Sequence, residues 1–198
     1  MVQRFPIAKQ GQYVGLLGGS FDPPHQGHVH ITKTALKRFD LDQLWWLVSP
    51  GNPLKENGPA PMHERLQAAK AMMRHPQVHV SDAELALETR YTAETLRALM
   101  RKYTGVNFVW LMGADNLAQF DKWQDWRWIM ENVPIGVMAR PGDRITARLS
   151  KAGRIYREAK LPARASHLLG RRGTPEWCFI NMPMSPQSSS AIRARGEW

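Results

Sequence analysis

Short apolar runs recur along the chain, and polar or mixed segments separate them. The runs cover residues 13–17, 44–48, 78–80, 107–112, 135–139 and 177–180. Unbroken apolar runs of this length are typical of strands that are covered on both faces. The pattern therefore predicts six buried strands.

Between most of these runs, apolar residues recur every three or four positions, which is the spacing of a helix with one buried face. The positions are Ile31, Ala35, Leu36 and Phe39; Leu66, Ala69 and Met73; Thr95, Leu96, Leu99 and Tyr103; and Trp126, Ile129 and Met130. Alternating strands and helices predict an α/β fold: a Rossmann-like, doubly wound, mostly parallel sheet with helices on both faces. Ligands of such sheets bind at the edge where the strands end.

Length and composition agree with one globular domain. The chain has 198 residues, 43% hydrophobic and 22% charged, which excludes disorder as the main state. We expect a single domain over 1–198 with a helical C-terminal subregion at about 185–198. The single cysteine, Cys178, excludes a disulfide within the chain and is expected to be a small core residue.

No apolar run approaches the roughly 20 residues that span a bilayer, and residues 1–13 lack the apolar stretch of a signal peptide. No membrane partner is expected, and the cytoplasm is the expected location. The oligomeric state is open, and a homo-oligomer is compatible with the sequence.

The net charge of +10 is concentrated late in the chain. Residues 144–172 hold nine Lys or Arg and one acidic residue, Glu158. A solvated basic helix, expected from about 145 to 159, is one interpretation, and a nucleic-acid contact is the less favoured one. Aromatic residues do not interleave the charges as they do in single-strand binders.

The segment that follows the first predicted strand carries the most distinctive chemistry. It reads Gly18-Gly19-Ser20-Phe21-Asp22-Pro23-Pro24-His25-Gln26-Gly27-His28, and a helix is expected to begin near Gly27. Glycines let the backbone approach a ligand, and a helix start offers amides and a positive dipole end to phosphate. Neither GxxxxGK[ST] nor GxGxxG occurs. The segment predicts a phosphate site of another type; a glycine turn with two exposed histidines is the alternative.

This segment resembles the signature of the nucleotidylyltransferases with an HxGH motif, and most closely that of the nicotinate-nucleotide adenylyltransferase family. That family transfers AMP from ATP to nicotinate mononucleotide in NAD biosynthesis and releases pyrophosphate. The resemblance implies that His25 and His28 are catalytic and contact the triphosphate. It also assigns ATP to Gly18, Gly19, Ser20, Phe21 and Gly27, of which Gly19 and Ser20 also meet the acceptor.

A second motif, Ser188-Ser189-Ser190-Ala191-Ile192-Arg193, lies near the C-terminus. A serine cap would start a helix here, with Arg193 in its first turn, where its planar fork suits phosphate. A plain cap beside a solvated arginine is the alternative. The motif resembles the family's ISSTxIR element, with Gln187 for Ile and Ser190 for Thr. The resemblance implies that Ser188, Ser189, Ser190 and the catalytic Arg193 bind ATP.

The acceptor site rests on two further segments. Thr92 is expected to start a helix after Tyr91, and the amides there suit a carboxylate, although the segment by itself favours an ordinary N-cap. Asp115 follows the fourth strand, where it meets ribose hydroxyls or caps a helix, and Trp123 is a candidate to stack on a pyridine ring. Both segments resemble the family's YTxxTL and GADxLxxFxxWxxW elements. The resemblance implies that nicotinate mononucleotide binds Tyr91, Thr92, Trp123 and Gln124, and that ATP binds Asp115. At the position of Gln124 the family often has Tyr.

Lys55 and Arg140 follow the second and fifth predicted strands. Lys55 resembles the basic residue that closes the family's Pro-rich loop near the phosphates, and Arg140 is a candidate for the phosphate of nicotinate mononucleotide. Both are expected to bind this acceptor, and surface charge is the alternative for both. We expect no dedicated metal site, because no carboxylate cluster is evident, and Mg²⁺ is expected to arrive with ATP. The rival functions are another adenylyltransferase of this superfamily (for pantetheine phosphate or nicotinamide mononucleotide), a nucleic-acid-binding protein and a nucleotide sensor without catalysis.

Overall fold

The computed structural model describes residues 5–51, 58–139, 149–182 and 189–198. Within these ranges seven strands form one sheet. They are β1 (Tyr13–Gly19), β2 (Gln43–Val48), β3 (Val78–Ser81), β4 (Asn107–Gly113), β5 (Ile135–Ala139), β6 (Lys160–Leu161) and β7 (Trp177–Asn181). Their order is β3-β2-β1-β4-β5-β7-β6, and every pairing is parallel. All six strands expected from the apolar runs are present, so the α/β fold is confirmed.

Helices connect the strands across both faces of the sheet. They are α1 (Gln26–Arg38), α2 (Met62–Met72), α3 (Ala83–Ala86), α4 (Thr92–Lys102), α5 (Ala114–Ala118), α6 (Trp126–Asn132), α7 (Lys151–Ile155) and α8 (Ser189–Ala194). Short 3-10 helices cover Phe120–Lys122, Arg157–Ala159 and Ala163–Leu168.

The core consists of two apolar layers, one on each face of the sheet. Trp45 and Trp46 are consecutive in β2 and are both fully buried, one in each layer. Because successive side chains of a strand point to opposite faces, this pair demonstrates that both faces are covered. Cys178 lies in the second layer, and its burial raises the pKa of the thiol to about 11, as expected for a core residue.

The basic segment differs from its expected single helix. In its described part α7 begins only at Lys151, because the Ser150 hydroxyl accepts a hydrogen bond from the Gly153 amide at 3.1 Å and so caps the helix there. A 3-10 turn and the two-residue strand β6 follow. Several of its cations bond within the protein: Arg171, for example, contacts Asp40 at 2.9 Å and lies over the ring of Tyr13.

Among the described residues, no helix is long and apolar enough to cross a membrane.

Candidate functional site

The strand order places a crevice beside the end of β1. From β1 the chain continues to β2 and β3 on one side, whereas β4 and β5 lie on the other side. This reversal is the switch point at which open parallel sheets bind ligands, at the carboxyl ends of the strands. β1 ends at Gly19, and α1 begins at Gln26, so the Gly18–His28 motif is the loop that lines this crevice.

His25 and His28 cap α1 reciprocally. The Gly27 amide donates to Nδ1 of His25 at 3.1 Å, and the His25 amide donates to Nδ1 of His28 at 3.2 Å. A ring nitrogen that accepts a hydrogen bond carries no proton, so Nε2 is the nitrogen left to carry a ring N–H in each histidine. In both histidines Nδ1 thus holds the start of α1.

Phe21 forms the apolar support of this pair. Its ring stacks on Trp46 with centroids 4.7 Å apart and lies 4.7 Å from the ring of His28. Trp46 is itself fixed by a hydrogen bond of 2.7 Å from its indole N–H to the Thr32 hydroxyl. Phe21 has a φ of 47°, a left-handed conformation that few bulky residues adopt. The packing of its ring in the core explains why this conformation is held.

The C-terminal helix lies against the same loop, but not in the way the sequence predicts. α8 begins at Ser189, so Arg193 lies in its last turn rather than its first. Ser190 is a helical residue and does not occupy the cap position, while the Ser189 hydroxyl donates to the Pro23 carbonyl at 2.9 Å. Arg193 reaches the loop through its side chain, donating to the backbone oxygen of Asp22 and lying 3.4 Å from its carboxylate. In the last turn the helix dipole favours a cation, so Arg193 does not have the unfavourable position beside a positive helix end that the sequence predicts.

A buried arginine that the sequence reasoning missed braces the loop from below. Arg65 of α2 is only 1% exposed. Its guanidinium donates to the carbonyls of Ser20 at 2.6 Å, Ser49 at 2.8 Å and Ala60 at 2.7 Å. Burial lowers the pKa of Arg65, and the neighbouring Asp22 carboxylate opposes that shift. The available signal was its position four residues before Ala69, on the apolar stripe of the helix.

Trp110 connects the phosphate loop to the predicted acceptor side. A Cβ on Gly18 would lie 2.5 Å from the Trp110 ring, so the glycine makes room for this indole. Trp123 packs edge-on against Trp110 and Phe120, with centroids 6.3 and 5.3 Å away, and is partly exposed. Gly18 and Trp123 are thus two ends of one aromatic contact chain, while the neighbouring Gln124 is exposed.

The start of α4 is at Thr92, as predicted. Because α4 leads into β4, its first turn lies at the edge of the sheet where the strands end. The Glu94 carboxylate accepts from the amides of Arg90 and Tyr91, both at 3.2 Å. The amides of Thr92 and Ala93 belong to the first turn, where backbone N–H groups have no carbonyl acceptor within the helix.

Asp115 is the second residue of α5 and is exposed at the end of β4. Its carboxylate folds back over Gly113, where a Cβ would overlap it. Gly113 is the cap residue of α5, so Asp115 is not the helix cap. Lys55, Arg140 and Ser188 lie outside the described residues, and their roles stay predictions. Among the described residues, no group of three or more His, Cys, Asp or Glu side chains is arranged to hold a metal ion.

Comparison with known proteins identifies the family. The model of the cytidylyltransferase-like family matches residues 16–195. A probable nicotinate-nucleotide adenylyltransferase of Ruegeria is 65% identical over 185 residues, covering 93% of this chain and 98% of the relative. The protein of the same name from Roseobacter denitrificans is 62% identical over the full length of both chains.

A solved structure supports the fold. The nicotinic acid mononucleotide adenylyltransferase of Plasmodium falciparum, complexed with NaAD, superposes with a TM-score of 0.69 at 15% identity, over 92% of this chain and 83% of that one. At this identity the likeness concerns the fold alone. From the family match and the long, highly identical relatives, the chain belongs to the cytidylyltransferase-like family and, within it, to the nicotinate-nucleotide adenylyltransferases.

Proposed function

We propose that this chain transfers AMP from ATP to nicotinate mononucleotide, giving nicotinate adenine dinucleotide and pyrophosphate. The observation that carries the proposal is the reciprocal cap of His25 and His28 at the start of α1. It fixes two Nε2–H donors at a helix start at the switch point of the sheet, where amides and dipole favour a polyphosphate.

The acceptor phosphate is already an anion and needs no general base to attack the α-phosphorus of ATP. Catalysis then consists of in-line positioning and neutralisation of the charge that develops on the leaving pyrophosphate. In this proposal His25 and His28 donate to the triphosphate from Nε2, and Arg193 supplies a positive charge across the loop. Asp115, exposed beyond β4, meets ribose hydroxyls.

Mg²⁺ enters this proposal as part of the substrate. It binds the phosphate oxygens of ATP, retains several waters and neutralises part of the triphosphate charge. A chelator should therefore abolish turnover, and added Mg²⁺ should restore it without any lasting change in the protein.

The acceptor is read by two features on the other side of the crevice. The first-turn amides of α4, at Thr92 and Ala93, are suited to the carboxylate of the nicotinate ring. Trp123, partly exposed and held edge-on by Trp110 and Phe120, offers a surface for the pyridine. A carboxylate accepts two such amide bonds, whereas the amide of nicotinamide would direct an N–H toward one of the donors.

Pyrophosphate release from ATP, measured with a panel of acceptors, tests the proposal. We expect turnover with nicotinate mononucleotide and a loss of at least about tenfold in kcat/KM with nicotinamide mononucleotide, the cost of one mispaired charged hydrogen bond. Equal use of both acceptors would contradict the carboxylate site at Thr92. Turnover with 4′-phosphopantetheine in place of either would contradict the acceptor assignment, and ATP binding without any release would favour a sensor.

A further inference from the structure

Asp22 is a carboxylate at the centre of the phosphate loop, and three residues from two separate segments donate to it. Its side chain is only 9% exposed. Oδ1 accepts from the indole N–H of Trp198 at 2.7 Å and from the amide of Ala60 at 3.2 Å. Oδ2 lies 3.4 Å from Nη1 of Arg193, which also donates to the backbone oxygen of Asp22.

A negative charge beside a triphosphate site is unfavourable for ATP by itself, because like charges repel strongly where water is scarce. The two oxygens of Asp22 have different partners, however. Oδ1 holds neutral donors from Ala60 and Trp198, while Oδ2 faces the one cation that the C-terminal helix brings to the loop. The carboxylate is therefore placed to orient a cation rather than to bind substrate.

Arg193 needs such an orienting partner. It lies in the last turn of a helix of six residues, and its side chain is 35% exposed. A long arginine side chain loses rotamer entropy when it is fixed, a cost that would otherwise fall on ATP binding. The contacts with Asp22 engage Nη1, and Nη2 lies 3.5 Å from the Ser190 hydroxyl. The planar guanidinium carries five N–H donors in all, so these contacts do not use every donor of the fork.

We propose that Asp22 is a positioning residue for ATP binding: it holds Arg193 in the orientation that meets the triphosphate, and Trp198 fixes Asp22 in turn. The inference rests on the proposed function, since it takes Arg193 as a ligand of the triphosphate. Two substitutions test the contacts of the two Asp22 oxygens separately. In Asp22→Asn the amide oxygen can keep the Ala60 and Trp198 donors, and the amide nitrogen then faces Arg193 and breaks that contact. Trp198→Phe removes only the indole donor.

The affinity for ATP, measured by calorimetry without acceptor, should fall about tenfold in Asp22→Asn, the loss of one charged hydrogen bond. It should fall by about threefold in Trp198→Phe, which removes a neutral donor. The KM for nicotinate mononucleotide should change by less than about twofold in both variants, because neither side chain contacts Trp123 or the start of α4.

A double-mutant cycle distinguishes positioning from a purely structural role. If Asp22 acts through Arg193, Asp22→Asn should have no further effect on ATP affinity when Arg193 is already alanine. An equal loss in the wild-type and Arg193→Ala backgrounds would overturn the inference, as would equal losses for ATP and for the acceptor. Failure of the wild-type protein to release pyrophosphate would instead contradict the proposed function, whatever the cycle shows.

Discussion

The backbone N–H of His25 donates to Nδ1 of His28, and the two rings lie 4.0 Å apart, so each histidine helps to hold the other. The same nitrogen atoms cap the helix that follows. In the proposed reaction the helix cap uses Nδ1 and phosphate binding uses Nε2 of the same imidazole, so substitution can separate the two roles.

Replacing His28 by Asn should abolish most turnover while leaving the helix cap in place. The asparagine oxygen can accept from the His25 amide as Nδ1 does, but the Nε2 donor is lost. Losing one preorganised donor reduces kcat by roughly 100- to 1,000-fold. Steady-state pyrophosphate release and thermal unfolding check this result.

His28→Ala serves as the comparison, because it removes the cap as well and should lower the melting temperature more than the asparagine does. His63→Ala, at an exposed position of α2, is the control for activity. Near-normal kcat in His28→Asn would show that the histidine acts only as a cap.

Replacing Gly18 by Ala should destabilise the protein. The new Cβ would lie 2.5 Å from the rigid Trp110 ring, which has to shift, and forced repacking in a core costs roughly 1–3 kcal/mol. Because Trp110 contacts Trp123, the KM for the acceptor should rise as well. Urea unfolding and steady-state kinetics are the measurements.

Gly58→Ala is the matched control, since a Cβ there meets nothing within 4 Å. It should change the free energy of unfolding by less than about 0.5 kcal/mol. If the two alanine variants were equally stable, the close approach of Trp110 to Gly18 would not matter to the fold.

Replacing Arg65 by Met should cost more than any exposed substitution on the same helix. The change leaves the partly buried carbonyls of Ser20, Ser49 and Ala60 without this donor, at roughly 1–3 kcal/mol for an unsatisfied group. Lys70→Met, at an exposed position of α2, is the control.

Arg65→Lys should be more stable than Arg65→Met but less stable than wild type. The single ammonium of lysine cannot donate to all the carbonyls that the planar guanidinium of arginine reaches. In chemical denaturation, the free energy of unfolding should be highest for wild type and Lys70→Met, lower for Arg65→Lys and lowest for Arg65→Met. Wild-type stability in Arg65→Met would contradict the bracing role.

Glu84 should make the stability of the protein depend on pH. Burial raises its pKa to about 7, from 4.5 in the unfolded chain. Below pH 4.5 the carboxyl is protonated in both states and has no effect. Between these values the folded protein keeps a proton that the unfolded chain releases, so the free energy of unfolding falls as pH rises, by roughly 3 kcal/mol in total at about 1.4 kcal/mol per pKa unit.

Glu84→Gln should remove this fall, so that the variant is more stable than wild type at pH 8 and similar to it near pH 4.5. Urea unfolding across the pH range measures the difference. Glu64→Gln, whose carboxylate is exposed, should follow the wild-type curve. A constant offset between Glu84→Gln and wild type at every pH would exclude the titration as the cause.

Local features of this protein are determined by the sequence. The apolar runs predict all six of the longer strands, because strands covered on both faces need unbroken apolar residues. The Gly18–His28 motif predicts a phosphate loop and a helix start, because glycine turns and caps involve neighbours within one turn of chain. The two-residue strand β6 is too short to leave such a pattern.

Contacts between distant segments are decided only by the tertiary structure. Arg193 and Trp198 meet Asp22 across 171 and 176 residues, and Arg65 reaches Ser20 across 45. No periodicity records these pairings, since they depend on which segments the folded sheet brings to one edge. For the same reason the sequence predicts the wrong place for Arg193, which lies in the last turn of α8 and not near a helix start. Its contact with the Asp22 carboxylate likewise depends on how α8 packs against the phosphate loop.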